Sequence, residues 1–296
     1  MVKVFIGTSG WQYDHWRSVF YPQDLPQKEW LLYYRKYFDT VEVNATFYHQ
    51  MKKETFAKWR ETVGPDFVFA IKGSRFITHI KRLKDCQEGV ERFFEAVVGL
   101  FGPAVTNFSV ATPAVENNNP VLDTSLKNNE SLRSKCGSSK IVTRRPWMNP
   151  RLIPNYNVVL WQLPPRFAFD KLRLKRFLTI LLKTSHSLRQ AFEFRDQSWL
   201  NEETYSLLKK YNCALVIQDS PNWPAAEVVT ADFVYLRFHG RQSLYASCYS
   251  EKELDEWAAK VRHWLKKGLD VYGFFNNDSQ GYAIKNGLRL KELLGH

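Results

Sequence analysis

The sequence predicts an α/β fold, a closed (β/α)8 TIM barrel of parallel strands ringed by helices. Eight short apolar runs recur along 296 residues, most of them followed by helical periodicity, which is the pattern of a parallel sheet with helices outside it. The polar residues fall almost entirely at the C-terminal ends of those runs, the edge where such barrels gather their active sites. No internal repeat or second domain is evident, so residues 1–296 read as a single domain, with a doubly wound open sheet as the runner-up. A content of 44% hydrophobic and 15% aromatic residues suffices for a large core and excludes a disordered polymer.

Lys3 to Gly7 is the first buried run, and it feeds a turn at Thr8, Ser9 and Gly10 followed by Trp11, Tyr13 and Trp16. Helical spacing follows at Trp30, Leu31, Tyr34, Tyr37 and Phe38. The second run, Thr40 to Val43, carries Glu42 and Asn44 at its end, before Phe47 and Tyr48; Phe56, Trp59 and Val63 mark a helix. Phe67 to Lys72 is the third run and leads to Arg75, Thr78 and His79. Asp85 with Glu88 predicts a capping-box start for a helix that buries Val90, Phe93, Phe94 and Val97.

The pattern breaks over residues 102–156, rich in Asn, Ser, Thr and Pro and far longer than an ordinary loop, which reads as a flexible insertion before the fourth strand. It holds seven Lys and Arg against three acids, so most of the net charge of +12 belongs to the folded part. Two sequons, at Asn107 and Asn129, lie within it.

Order returns with Val158 to Leu163, ending in Gln162, and a helix over about Asp170 to Lys183. Ala191 to Arg195 places Glu193 and Arg195 on one face, ahead of Trp199 and a helix capped by Asn201. Ala214 to Gln218 ends at Asp219, with only a short connection after it. Phe233 to Gly240 (FVYLRFHG) then sets Tyr235, Arg237 and His239 on one face and Leu236 and Phe238 on the other. Ser250 and Glu253 form a second capping box, for a helix that buries Leu254, Trp257, Val261 and Trp264. Val271 to Phe275 is the eighth run, ends in Asn276, Asn277 and Asp278, and precedes a last helix through Ala283, Leu288 and Leu293.

A pI near 9.4 favours an anionic partner, either a small molecule or nucleic acid. Cys86, Cys136, Cys213 and Cys248 lie far apart without a C-x-x-C pair, as reduced thiols would. No secretory signal or membrane span is visible, so the expected location is the cytoplasm, with no membrane partner. No Gly-rich phosphate loop, nucleophile elbow or Walker motif occurs. The strand ends supply too few His, Asp and Glu ligands for a multinuclear zinc site; no cofactor is predicted, though a single divalent ion such as Mg²⁺ is compatible. Glu42, Glu193, Arg195 and Arg237 also allow a bland reading, a self-satisfied buried ion network supporting the barrel.

FIGTSGWQYDHW, TVEVNATFYH, FVFAIKGSRFITH, WQLPPRF, FEFRDQSW, the Asp219-Ser-Pro turn, FVYLRFHG and FFNND together resemble the YecE-like proteins, domain of unknown function family 72. The resemblance runs from the first residues to the last and implies a TIM barrel with a polar pocket at its mouth. The family's motif positions fall on Glu42, Asn44, Lys72, Thr78, His79, Gln162, Glu193, Arg195, Asp219, Arg237, His239, Asn276 and Asn277. Residues 102–156 depart from the pattern, since members pass more directly from the third helix to the WQLPP-like segment.

The expected function is that of an enzyme, a hydrolase or lyase, acting on an anionic and phosphate-containing substrate such as nucleic acid. Arg195, Arg237 and Lys72 hold the anion in this reading, His239 transfers a proton, and Glu193, Glu42 or Asp219 orients or acts as base. Asn44, Gln162, His79, Asn276 and Asn277 complete the binding set, with Trp11, Tyr48 and Trp199 available for stacking. The alternatives are non-catalytic nucleic-acid binding and glycoside hydrolysis by paired carboxylates.

Overall fold

The computed structural model describes residues 2–101, 156–185 and 188–296. The strands are β1 (Val4–Thr8), β2 (Thr40–Val43), β3 (Val68–Lys72), β4 (Val158–Gln162), β5 (Arg189–Glu193), β6 (Ala214–Asp219), β7 (Phe233–Phe238) and β8 (Asp270–Phe275). All pair in parallel, in the order β1-β8-β7-β6-β5-β4-β3-β2, so the sheet curls until its first and last strands meet. The helices are α1 (Trp30–Tyr34), α2 (Ala45–Tyr48), α3 (Lys53–Val63), α4 (Gln87–Val97), α5 (Lys171–Thr184), α6 (Glu202–Tyr211), α7 (Glu251–Lys266) and α8 (Tyr282–Leu293). This is the (β/α)8 barrel expected, and the β6–β7 connection carries no helix, as its sequence indicated.

The chain divides into two units, the barrel over residues 1–106 and 155–296 and a second over Asn107–Pro154. The second unit, its sequons and Cys136 lie outside the described residues. Tyr156, placed at the end of the insertion by its sequence, belongs to the barrel floor: its carbonyl accepts from the Tyr272 hydroxyl at 2.7 Å, and its ring lies tilted against Phe5.

Two apolar layers follow from the alternation of the strands. Phe5, Val68, Ala70, Val158, Leu160, Ala191, Ala214, Val216, Phe233, Tyr235, Tyr272 and Phe274 fill the barrel interior. The opposite faces, among them Val234, Leu236 and Phe238 of β7, pack against the helices with Trp30, Phe93, Phe177, Trp257 and Trp264. Each fully buried large side chain of this kind contributes about 1.5–3 kcal/mol. A half-buried ion pair, Arg189 to Asp270 at 2.6 Å, closes the N-terminal end of the interior.

Side-chain caps fix the starts of α5, α6 and α7. Asp170 accepts from the Arg173 amide at 2.9 Å and Asn201 from the Thr204 amide at 2.9 Å, while Ser250 and Glu253 make the reciprocal capping box at α7. The capping box expected from Asp85 and Glu88 does not form. Asp85 takes a left-handed conformation (φ 45°), and α4 begins at Gln87 behind Cys86, without a side-chain cap.

The seam between β1 and β2 has no continuous ladder; a single bridge joins Ser9 to Glu42. The Tyr34 hydroxyl, arriving from α1, accepts from the Thr8 amide at 3.0 Å and donates to the Thr40 carbonyl at 3.1 Å. That carbonyl approaches so near Gly7 that a Cβ there would stand 2.3 Å from it, which explains a glycine inside a strand.

Candidate functional site at the barrel mouth

Inward-facing residues at the last turn of each strand converge at the C-terminal mouth. Arg237 of β7 lies at the centre, 1% exposed. Its Nε donates to Glu42 Oε2 at 2.9 Å, Nη2 to Glu42 Oε1 at 2.7 Å, and Nη1 to Glu193 Oε2. Glu42 also accepts from the Ser9 hydroxyl at 2.5 Å and the Tyr235 hydroxyl at 2.8 Å, so both of its oxygens are saturated. Glu193 Oε1 accepts from Arg195 Nε at 2.8 Å. Burial opposes ionisation of both carboxylates, but the Arg237 charge outweighs it, helped by Lys72 and Ser9 at Glu42 and by Arg195 at Glu193; both carboxyls are held below the usual range.

This geometry revises several assignments. Arg237 spends its donors on two carboxylates and a contact to Ser9 Oγ, so it braces the site and does not offer itself to an anion. Glycoside hydrolysis requires one carboxyl kept protonated, and Glu42 and Glu193 are both driven the other way. The same saturated oxygens do not suit a divalent ion, and among the described residues no three His, Cys, Asp or Glu side chains gather as a ligand set.

Asp219 faces outward, where its Oδ2 accepts from Trp257 Nε1 at 2.9 Å and Arg241 Nε at 3.1 Å. Its neighbour Gln218 is the inward residue; its amide nitrogen donates to the Phe194 and Pro224 carbonyls, and its Oε1 is buried without a partner. Asn277 is buried in a structural network, donating to the Ser247 carbonyl and to Asn286 Oδ1 at 2.9 Å each. Trp11 and Trp199 are core residues, one edge-on to Trp59 and the other stacked on Phe194, whereas Tyr48 is 67% exposed on α2.

Around the brace stand groups with unused valence. The guanidinium of Arg195 lies 4.4 Å over the Trp223 ring and 3.5 Å from the Tyr245 hydroxyl, and no described residue accepts from its Nη1. His239 Nδ1 lies 3.1 Å from the Asn276 amide nitrogen, which can only donate, so the neutral ring carries its proton on Nε2. That Nε2 is buried without a hydrogen-bond partner, 3.8 Å from Glu193. Burial lowers the His239 pKa, with the Arg237 charge acting the same way against the pull of Glu193. Gln162 Oε1 and Asn44 Oδ1 are likewise buried and unpartnered, the Asn44 amide donating to the Ser9 carbonyl at 3.1 Å.

Lys72 ends β3, 9% exposed, with its ammonium position 4.5 Å over the Phe47 ring. Glu42 is taken up by Arg237, and no carboxylate among the described residues comes within ion-pair distance of Lys72. Burial, then the Arg237 charge, lowers its pKa to about 7 against the opposing pull of Glu42 and Glu193. Its backbone is fixed, since Thr46 donates to the Lys72 carbonyl at 2.6 Å and the next residue, Gly73, leaves room for the Trp161 ring where a Cβ would clash at 2.3 Å. His79 packs edge-on to the same Phe47 ring at 4.9 Å, its pKa lowered to about 4 by burial and by the charges of Lys72 and Arg195.

Ser9, Tyr235, Gln218, Trp223 and Tyr245 thus join a site that sequence reasoning had drawn without them. Tyr235 and Gln218 had a usable signal, the two-residue alternation running inward from Phe233 and from Ala214. Tyr245, a non-glycine residue at φ 63° whose ring is edge-on to His239, carries no signal of that kind.

The fold and the site define a (β/α)8 barrel with a charge-rich C-terminal mouth. The chain belongs to the DUF72 family, a protein family of unknown function, whose model matches residues 5–130 and 148–296. It is similar to the UPF0759 protein YunF of Bacillus subtilis, with 25% identity covering 98% of this chain and 94% of that one. The UPF0759 protein YecE of Escherichia coli is 28% identical over 38% of each chain. Among solved structures, a DUF72 family protein from Thermotoga maritima aligns with a TM-score of 0.72 and 27% identity, covering 99% of this chain and all of the other. One from Enterococcus faecalis, at 18% identity and TM-score 0.70, shares the fold. The family match leaves residues 131–147 unmatched within the segment where the sequence departs from the YecE-like pattern. No helix among the described residues is long and apolar enough to cross a membrane.

Proposed function

We propose that the protein is an enzyme, a hydrolase or lyase, acting at the barrel mouth on an anionic, phosphate-containing substrate. The observation that carries this reading is Arg195: Arg237 is consumed by the two carboxylates of the brace, whereas Arg195 commits only its Nε to Glu193 and turns the rest of its guanidinium to the mouth. Arg195 retains unused donors on a guanidinium held flat by Trp223, the arrangement suited to forked recognition of phosphate. In this reading His239 Nε2–H, which has no partner of its own, donates to a developing negative charge.

Calorimetric titration with inorganic phosphate tests the reading. Wild-type protein binds it, and Arg195→Met weakens binding at least about tenfold, a difference of roughly 1.4 kcal/mol. Equal affinity in the two proteins, or binding that vanishes with added salt in both, assigns the anion to the general basic surface instead.

A further inference from the structure

The brace leaves Lys72 in an unusual position. Its two nearest carboxylates are bound to arginines, its ammonium has no ion-pair partner among the described residues, and one side of it is the face of Phe47. A lysine so placed gives up its proton near neutral pH, which makes the free amine, a nucleophile, available there. We propose that Lys72 is a covalent catalytic residue, forming an imine with the carbonyl carbon of a small substrate whose phosphate or carboxylate group is held by Arg195. This deepens the anion-site reading and rests on it.

The chemistry balances without any other reagent. The Nζ lone pair attacks the carbonyl carbon, and the oxygen becomes a hydroxyl. Loss of that hydroxyl with the remaining amine proton releases one water and leaves a C=N bond. Once protonated, the imine draws electrons from the adjacent carbon, so a C–H or C–C bond there breaks readily; hydrolysis then returns the amine. Such a cycle belongs to the lyase branch of the proposed function.

His79 supplies a base beside it. Thr78 Oγ1 donates to the Ser74 carbonyl at 3.1 Å, so at 2.9 Å it accepts from His79 Nδ1–H, which leaves the His79 Nε2 lone pair open. The imidazole is neutral at neutral pH and shares the Phe47 ring with Lys72, so it can take protons as the carbinolamine forms and collapses.

Glycolaldehyde phosphate, a small aldehyde that also carries a phosphate, is the probe. It is incubated with the full-length protein and cyanoborohydride at neutral pH, followed by intact mass measurement and peptide mapping. The expected product is one reduced adduct on Lys72, at least tenfold diminished in Arg195→Met and absent at that position in Lys72→Arg. Half-maximal labelling should fall near neutral pH, well below that of surface lysines. If phosphate binds but Lys72 remains unlabelled, or label scatters over the lysines, the imine is overturned and the anion site stands. If phosphate does not bind either, both readings fall.

Discussion

Replacing Arg237 with Met puts the central brace to its severest test. The guanidinium neutralises two carboxylates at once, and Glu42, Glu193 and Arg237 are all between 0% and 1% exposed. Methionine keeps much of the stem but no charge, leaving Glu42 with Ser9 and Tyr235 as donors and Glu193 with Arg195. Removing one partner of a buried pair costs roughly 3–5 kcal/mol, and two pairs sharing one cation do not add fully, so the expected loss at neutral pH is about 4–6 kcal/mol. That approaches the entire stability of an ordinary domain, about 5–15 kcal/mol.

The sign of the pH dependence is equally specific. In the wild type both carboxylates titrate below their unfolded values, so their contribution is complete above the unfolded pKa and is lost as pH falls through the folded one. Without Arg237, burial prevails at Glu42 and its folded pKa rises above the unfolded value. Its contribution is then present below the unfolded pKa and lost as pH rises through the folded one. The deficit of the variant should therefore shrink on acidification from pH 7 towards the carboxylate range, near 4.3. Urea unfolding followed by tryptophan fluorescence measures both, and Glu42→Gln in the Arg237→Met background should recover part of the loss by removing the stranded charge. A loss below about 1 kcal/mol, or one that is the same at both pH values, refutes the brace.

Two further outcomes separate the roles assigned to other residues. Lys72→Met should stabilise the fold by about 1–3 kcal/mol at pH 6, because the wild-type amine, with a folded pKa of about 7 against an unfolded value near 10.4, loses stability as pH falls through that window. The gain should fade towards pH 10 in thermal unfolding scans; a gain independent of pH would refute the lowered titration of Lys72, and a loss would show that Lys72 is paired after all. Asp219→Asn should cost about 1–2 kcal/mol by weakening the bonds from Trp257 and Arg241, yet leave phosphate affinity within about twofold; a tenfold loss of affinity would return Asp219 to the site.

Most of the barrel was legible because a strand buried on both faces must be a short apolar run, and its first polar residue marks where the run meets the mouth. Thr40 to Val43 and Val271 to Phe275 fall within one residue of the strands formed. What remained hidden depended on phase or on distant partners. Ala214 and Val216 point inward, so Gln218 must follow them and Asp219 must turn outward; proximity to the strand end alone gave the opposite expectation. Asp85 had the composition of a cap, but its backbone is left-handed and the helix starts two residues on, at Gln87, without a side-chain cap. That Arg237 would be fully occupied was not visible on its own strand, because its partners come from β2 and β5, 195 and 44 residues away in sequence.

The β1–β2 seam gives these assignments an unequal standing. Ser9 and Glu42, which form the only backbone bridge there among the described residues, also anchor the central arginine. They act as the clasp of a stave-built vessel, and what fastens the wall is also what furnishes the chamber. A substitution at Glu42 or Ser9 that abolishes activity thus says nothing about chemistry, since it unfastens the wall at the same stroke. Arg195 and Lys72, whose side chains fasten no staves, are the positions at which inactivity and collapse come apart.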